Sequence, residues 1–331
     1  MAQSLFKLLQ ARHPGTLIDV IAPPATLPLL SRMPEIHEAI PLAIPHRRLG
    51  LRMRWALGRA LRTRGYRQGL VLPQSYKSAL PVWIAGIPRR TGYRGEWRLG
   101  VLNDIRQEPA GVKLPTVERF IRLGLEPDEP LPPIPIPALR ADPNQALAFL
   151  AHRRFDPTQP VLALCPGAEY GPAKRWPAHH FATLTKQYLQ HGWQVWLLGG
   201  HKDRPTTDAI QKSVDQKCLN LAGETTLVQV IDLLHLATAI VSNDSGLMHI
   251  AAALDRPLVA LFGSSDPHHT PPLNPAAISL SLKLSCSPCF ARTCPLGHLR
   301  CLEDLTPAQV SAALTTLPYK AIAPRDGEGA D

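Results

Sequence analysis

Proline divides this chain into two halves. Seven of its 35 prolines fall within residues 126–143, which read EPDEPLPPIPIPALRADP. Because proline cannot continue a helix or pair in a central strand, this segment is predicted to be an extended linker. The chain must therefore build two cores, one from residues 1–125 and one from residues 144–318, with residues 319–331 as a polar tail.

Each half alternates short apolar runs with amphipathic segments. In the first half, strands are predicted at 17–22, 69–72 and 90–93, and helices at 4–10, 53–62, 78–85 and 117–123. In the second half, strands are predicted at 161–165, 194–198, 218–221, 239–242 and 258–262, and helices at 179–191, 206–214, 227–236, 247–253 and 306–317. This alternation is typical of parallel sheets covered by helices, so we predict an α/β fold with two Rossmann-like, doubly wound domains.

The first half begins unusually for such a domain. A doubly wound domain normally opens with a buried strand whose carboxyl end leads through a glycine-rich loop into the first helix. Here the first predicted element, residues 4–10, is already a helix. We therefore expect the opening strand and its loop to lie upstream of Met1.

Arginine gives the first half a positive charge. The chain has 36 Lys and Arg against 26 Asp and Glu, and residues 1–110 hold 17 of the basic residues but only 6 of the acidic ones. This asymmetry predicts an anionic partner, such as a nucleic acid, an anionic lipid or a phosphorylated substrate; the alternative is a solvated basic helix face. No helix-turn-helix, zinc-finger or RNA-binding motif accompanies the charge, so we do not expect nucleic acid.

The cysteines bear on the cellular compartment and on metal binding. The first residues lack a secretory signal and no apolar run reaches about 18 residues, so a cytosolic protein is expected, whose cysteines are thiols or metal ligands rather than disulfides. Four cysteines lie close together in sequence: Cys286, Cys289, Cys294 and Cys301. The first two have the Cys-x₂-Cys spacing of zinc ligands, whereas the later gaps follow no standard zinc pattern. Structural zinc, disulfide pairing and free thiols are all open.

Three predicted strand ends in the second half carry residues that suit a nucleotide, and ligands of such sheets bind at the carboxyl ends of strands. Glycines and cations follow the first strand, two glycines and an acid follow the second, and Asp-Ser-Gly precedes a helix after the fourth. The candidate residues are Gly167, Lys174, Arg175, Asp203, Asp244, Ser245, Gly246 and His249. Each strand end alone also fits an ordinary loop or helix cap. Together they predict a nucleotide diphosphate site.

Several common nucleotide motifs are missing from the sequence. There is no Walker A loop, no dinucleotide fingerprint and no Asp-x-Asp pair that would hold a metal ion on a diphosphate. If a nucleotide diphosphate binds, the protein's own cations and a helix N-terminus must take the place of the metal.

At these residues the sequence resembles the lipopolysaccharide heptosyltransferases of glycosyltransferase family 9. The segments that carry the likeness are 166–177 (PGAEYGPAKRWP), 221–225 (LAGET), 243–253 (NDSGLMHIAAA) and, in the first half, 29–35, 72–80 and 86–96. The resemblance implies a GT-B architecture, in which two Rossmann-like domains face each other across a cleft. It implies an ADP-heptose donor in the second domain, an acceptor in the first, and inverting transfer that requires no cofactor.

The resemblance also implies roles for particular residues. Lys174 would pair with the donor phosphates, Asp203 would contact the ribose, and the segment from Asp244 to His249 would form the start of the diphosphate-binding helix. The implied reaction moves heptose from ADP-L-glycero-D-manno-heptose to the heptosyl-Kdo-lipid A inner core of lipopolysaccharide, at the cytoplasmic face of the inner membrane. The basic first half suits this anionic acceptor, with Arg89, Arg90 and Arg94 as candidate contacts.

The catalytic base of the family is an aspartate in a Gly-Asp loop just after the first strand. This chain offers no residue for that role, so the resemblance places the base upstream of Met1. Two alternatives use the same donor site: transfer to a different position of the core, and a truncated, non-catalytic protein that only binds the nucleotide sugar. The sequence does not indicate an oligomeric state.

Overall fold

The computed structural model of the chain describes residues 1–44, 48–108, 111, 113–153 and 155–319. It divides into two compact units, Met1–Pro137 (unit 1) and Ala138–Asp331 (unit 2). The boundary falls inside the predicted linker. Apart from Tyr319, the predicted tail 319–331 lies outside the described residues.

Unit 1 keeps most of the proline-rich segment. Residues 126–137 form no helix or strand, and Ile134 packs against a small core of Leu8, Ile121 and Leu125. Lys7 Nζ also donates to the carbonyl oxygen of Ile136 at 2.7 Å. The segment therefore has no regular secondary structure and is packed onto unit 1, and its role as an extended linker stays a prediction.

The helices and strands of unit 1 alternate along the chain. Its helices are α1 (Ala2–Arg12), α2 (Leu27–Leu30), α3 (Leu51–Leu61), α4 (Tyr76–Ile84) and α5 (Thr116–Leu123). Its strands are β1 (Asp19–Ala22), β2 (Glu38–Pro41), β3 (Gln68–Val71), β4 (Arg89–Tyr93) and β5 (Asp104–Arg106). All the pairings are parallel, as predicted, but β2, β5 and α2 were not predicted.

The strands of unit 1 form two sheets. One consists of β1 and β2, and the other has the order β3-β4-β5. No strand within the described residues pairs with the remaining edge of β1 or of β3. The run 17–22, predicted to be a buried strand, is only partly buried as β1, because it pairs on one side alone.

The described residues of unit 2 form one six-stranded parallel sheet. Its strands are β6 (Val161–Cys165), β7 (Gln194–Leu197), β8 (Leu219–Asn220), β9 (Ala239–Asn243), β10 (Leu258–Leu261) and β11 (Ile278–Leu280). Its helices are α6 (Pro143–Leu150), α7 (Ala178–Gln190), α8 (Arg204–Ser213), α9 (Leu227–Leu236), α10 (Gly246–Ala253), α11 (Arg300–Glu303) and α12 (Pro307–Thr315). The strand order is β11-β10-β9-β6-β7-β8, which is the predicted doubly wound arrangement.

The centre of this sheet is fully buried. Every residue of β6, β9 and β10 is buried, and these strands are almost entirely apolar except at their carboxyl ends. Strands covered by helices on both faces have this composition, because neither face meets water. The polar residues that follow these strands are therefore held at one edge of a rigid sheet.

Candidate active site

The strand order of unit 2 indicates where a ligand binds. From β6 the chain proceeds outward to β7 and β8, and it then returns to place β9 on the other side of β6. The register pairs Cys165 at the end of β6 with Ser242 near the end of β9. In doubly wound sheets the crevice at such a change of direction, outside the carboxyl ends of the strands, is the usual ligand site.

Two predicted residues meet across this crevice. Lys174 lies in a 3₁₀ turn (Pro172–Lys174) after β6, and its Nζ lies 2.5 Å from Oδ2 of Asp244, which directly follows β9. The Asp244 side chain is 5% exposed and that of Lys174 is 17% exposed, so the carboxylate is deeply buried and the ammonium group borders the solvent. The ion pair thus holds a cation at the mouth of the crevice.

Asn243, a residue that the sequence motifs did not single out, joins the same two loops. This fully buried side chain donates from Nδ2 to the carbonyl oxygen of Pro166 at 2.7 Å and accepts at Oδ1 from the backbone N–H of Trp176 at 3.1 Å. It therefore fixes both ends of the loop that carries Lys174. Its position at the end of β9, beside the Asp-Ser-Gly motif, was the available signal.

The N-terminus of α10 is available to an anion. Ser245 occupies the capping position without a capping bond from its side chain, and a Cβ built on Gly246 would meet no atom within 4 Å. Helix N-termini present backbone N–H groups and a partial positive charge. Ser245 and Gly246 thus extend the positive potential that begins at Lys174.

Asp203 lies against the glycine of a neighbouring loop. Its Oδ2 accepts from the backbone N–H of Gly200 at 2.9 Å, and a Cβ added to Gly167 would lie 2.4 Å from the Asp203 carboxylate. Only glycine at position 167 leaves room for this carboxylate, which sits half-buried beside the loop after β6. The structure therefore brings Asp203 and Gly167 together at the same edge of the sheet.

His249 lies in the first turns of α10 and is half-buried. Burial disfavours the imidazolium and lowers the pKa of His249 to about 4, while Lys174 acts in the same direction and Asp244 opposes it. The imidazole is therefore neutral at pH 7, and a bound anion nearby would favour its protonation.

The aromatic ring of Tyr170 lies close to both Lys174 and Arg292. The Tyr170 ring centroid lies 5.2 Å from Lys174 Nζ and 5.2 Å from the guanidinium carbon of Arg292. Arg175, in contrast, donates back to the carbonyl oxygen of Ala168 at 3.2 Å, so it holds the loop in shape. Neither Tyr170 nor Arg292 was predicted as a site residue, although Tyr170 lies within the quoted motif.

The cysteine segment, residues 285–301, packs against this site. The carbonyl oxygen of Arg292 accepts from the backbone N–H of Ala173 at 3.1 Å, and the Tyr170 hydroxyl donates to the carbonyl oxygen of Phe290 at 2.8 Å. The four cysteines are free thiols, and among the described residues no three cysteine sulfurs lie within 4.8 Å of one another. As they stand, these positions do not fit a bound zinc ion, whose thiolate ligands each lie about 2.3 Å from the metal.

Two of the three arginines predicted to face an acceptor have partners within unit 1. Arg89 pairs with Asp104 and Glu126, and Arg90 donates to the carbonyl oxygens of Val101 and Ile87. Arg94 is exposed and stacks on the Trp97 ring at 4.2 Å from its centroid. The contact of all three with an acceptor stays a prediction. Over the described residues, no helix has the length and apolar character needed to cross a membrane.

A sequence profile of glycosyltransferase family 9 (heptosyltransferase) matches residues 54–300 of this chain. The chain therefore belongs to glycosyltransferase family 9, as the motifs predict. It is 43% identical over 327 residues to lipopolysaccharide heptosyltransferase 2 of Escherichia coli, covering 96% of this chain and 94% of that protein. It is 40% identical over 297 residues to lipooligosaccharide heptosyltransferase 2 of Haemophilus influenzae, covering 85% of this chain and 84% of the relative.

Solved structures show the same fold. The structure of E. coli ADP-heptose lps heptosyltransferase II superposes with a TM-score of 0.83 at 42% identity, covering 95% of this chain and 94% of that one. A family 9 glycosyltransferase from Veillonella parvula superposes with a TM-score of 0.82 at 18% identity, covering 95% and 92%, which is evidence of the fold alone. The predicted fold class, α/β with GT-B architecture, is confirmed.

Proposed function

We propose that this protein transfers a heptose from ADP-L-glycero-D-manno-heptose to the heptosyl-Kdo-lipid A inner core of lipopolysaccharide, with inversion at the anomeric carbon. The observation that carries the proposal is the Lys174–Asp244 ion pair, which lies at the switch point of unit 2 beside the open N-terminus of α10. The names of the 43% identical E. coli relative and of the 42% identical E. coli structure supply the sugar and the type of acceptor.

In this proposal the donor diphosphate occupies the crevice between β6 and β9. Lys174 and the first N–H groups of α10 neutralise the charge that develops on the departing ADP, and no metal ion takes part in this step. Asp203 accepts hydrogen bonds from the ribose hydroxyls. His249, neutral at pH 7 because burial lowers its pKa, gains a proton or donates a hydrogen bond when the phosphates arrive.

The finer parts of the proposal concern the acceptor and its location. The acceptor is a lipid carrying phosphates and carboxylates, and the positive charge of residues 1–110 supports its binding by unit 1, with Arg94 as the exposed candidate contact. We propose that the protein acts in the cytoplasm, bound peripherally to the inner membrane. Donor binding requires only residues of unit 2.

The test is a transfer assay with ADP-heptose and mono-heptosylated Kdo-lipid A, read by mass spectrometry. No glycine in residues 1–331 is directly followed by aspartate, so the chain has no Gly-Asp loop. The assay therefore includes a second version of the chain, in which a strand and a Gly-Asp loop precede Met1. Addition of one heptose supports the proposal. Addition only to an acceptor without heptose would assign a different core position, and donor binding without transfer by either version would refute transfer.

A further inference from the structure

Unit 1 carries an apolar groove that the proposed donor chemistry does not use. It lies between α3 and α4 and has a volume of about 370 Å³. The residues that line this surface, here called the α3–α4 patch, are Leu51, Arg52, Trp55, Leu80, Trp83 and Ile84. Leu51, Trp55 and Trp83 are 57%, 52% and 46% exposed, so three large apolar side chains face solvent at one place. Grouped exposure of this kind marks an interaction surface.

The patch stands on a rigid base. A Cβ added to Gly58 of α3 would lie 2.6 Å from Cβ of Ile84 and 2.9 Å from the carbonyl oxygen of Pro81, so the two helices touch closely. Leu80 and Ile84 are buried beneath the groove. The tryptophans are therefore presented by packed helices, and their exposure is a feature of the folded unit.

Positive charge lies beside the groove. Residues 48–67 contain seven arginines and no aspartate or glutamate. Some of these arginines serve the fold: Arg54 donates to the carbonyl oxygen of Leu49, and Arg62 donates to that of Ile84. Arg52 and Arg59 are exposed on α3 itself. The surface thus combines an apolar centre with a cationic rim formed by Arg52 and Arg59.

We propose that the α3–α4 patch seats unit 1 on an anionic lipid bilayer. Tryptophan favours the level of the lipid headgroups, where its ring is apolar and its N–H remains hydrated. Exposed arginines beside an apolar helix face add attraction to anionic lipid, as in helices that lie in the membrane interface. A second copy of this chain fits poorly as the partner, since self-association through the patch would oppose two arginine-rich rims.

This inference rests on the proposed function, in which the acceptor is a lipid and the protein is bound peripherally to the membrane, and it adds the surface that makes the contact. It commits to the bilayer surface, not to the acceptor, as the occupant of the patch. Its test therefore uses lipid vesicles in the absence of donor and acceptor.

Vesicles of phosphatidylcholine, with and without phosphatidylglycerol, are sedimented with the full chain. We expect binding to the vesicles that contain phosphatidylglycerol, weakened by salt. The W55Q/W83Q double variant should bind about tenfold more weakly, because two apolar side chains no longer leave water. The matched control is L17Q, since Leu17 is 69% exposed in unit 1 but outside the patch.

A second pair of variants separates charge from apolar contact. R52Q/R59Q should lose the preference for phosphatidylglycerol, while R67Q, at an exposed arginine outside the groove, should keep it. Equal binding by the wild type and W55Q/W83Q would overturn the proposal. Displacement from the vesicles by an oligonucleotide at equal phosphate concentration would instead assign the rim to nucleic acid.

Separate control measurements test whether W55Q/W83Q still folds and functions. ADP affinity, a property of unit 2, and the thermal unfolding midpoint should be unchanged in W55Q/W83Q, because both side chains are already half exposed. Transfer to a deacylated, water-soluble acceptor should also be unchanged. If vesicle binding behaves as expected but no version of the chain transfers heptose, the proposed function is refuted. The inference that the α3–α4 patch binds lipid is then still supported.

Discussion

At the scale of single residues, the Lys174–Asp244 pair is the centre of the candidate site. We predict that K174A weakens ADP binding by about 1.5–3 kcal/mol, the size of a charge-assisted hydrogen bond. Isothermal titration calorimetry measures this loss. The control is K202A, because Lys202 also pairs with a carboxylate, Glu169, but is 77% exposed.

K174A also leaves the buried Asp244 without its ion-pair partner, so part of its effect could reflect the fold. The K174A/D244N double variant removes the unpaired charge. It should recover the thermal stability lost in K174A while its ADP affinity stays low. Recovery of both quantities would assign Lys174 to structure and remove it from the phosphate site.

Gly167 and Asp203 provide a second test at this scale. G167A should weaken ADP binding, because the new Cβ would lie 2.4 Å from the Asp203 carboxylate and must displace it. In a D203A background the same substitution should cost little more, since the group it displaces is gone. Additive losses in this double-mutant cycle would show that Gly167 acts independently of Asp203.

His249 makes the site sensitive to pH. Its pKa is lowered from 6.5 to about 4 by burial, so between these values the unfolded chain binds a proton that the native chain does not. His249 therefore contributes stability above pH 6.5 that is lost as the pH falls toward 4. ADP should raise this pKa, because its phosphates favour the imidazolium.

Histidine NMR titration of the wild type and of H249Q, with and without ADP, measures this directly. The resonance missing in H249Q identifies His249. A pKa at or above 6.5 without ADP would contradict the buried, neutral imidazole, and a pKa unmoved by ADP would place the phosphates elsewhere.

At the scale of elements, the sequence was most informative where strands are fully buried. β6 (Val161–Cys165) and α9 (Leu227–Leu236) have the predicted bounds. A continuous apolar run and an apolar helix stripe can both be recognised from the local sequence alone. The missed strands β2 and β5 carry charged residues or proline. They form because neighbouring strands offer backbone partners, and Asp104 of β5 also pairs with Arg89 of β4.

The missed helix α6 shows a different limit. Its first residue, Pro143, was assigned to the linker, although Asp142 accepts from the backbone N–H groups of Asn144 and Gln145 and so caps a helix. The density of prolines predicts a linker through Pro143, but proline at the first position of a helix, after an aspartate cap, is also a helix start. In the candidate site, the sequence motifs correctly indicated which strand ends carry the polar residues. The pairing of Lys174 with Asp244, 70 residues apart, depends on the strand order that places β9 beside β6.

The cysteine segment offers a test of metal binding. Residues 285–299 contain no helix or strand, whereas Cys301 lies in α11, and zinc binding would require the sulfurs to lie closer together than they do here. If the segment binds zinc, protein purified without chelator should hold about one zinc ion per chain, released when the thiols are modified. Elemental analysis together with thiol titration decides this. Four readily alkylated thiols with no released metal would refute it.

At the scale of the whole molecule, unit 1 has two sheets where unit 2 has one. The amino ends of the two sheets are held together, since the Tyr66 hydroxyl before β3 donates to Asp19 of β1, and Arg64 pairs with Glu38 of β2. The free edges of β1 and β3 pair with no strand in the described residues. One further parallel strand between them would join all five into a doubly wound sheet like that of unit 2.

This arrangement makes a prediction about activity. A chain in which a strand and Gly-Asp loop precede Met1 should transfer heptose roughly 10²–10⁴-fold faster than residues 1–331 alone, the usual contribution of a positioned general base. Both versions should bind ADP equally, because the candidate donor residues all lie in unit 2. The extended version should also be the more soluble, since two sheet edges become paired. An otherwise identical extension carrying Gly-Asn isolates the base from the strand: it should regain the solubility but not the rate. Equal rates for residues 1–331 and the extended chain would place the base within residues 1–331.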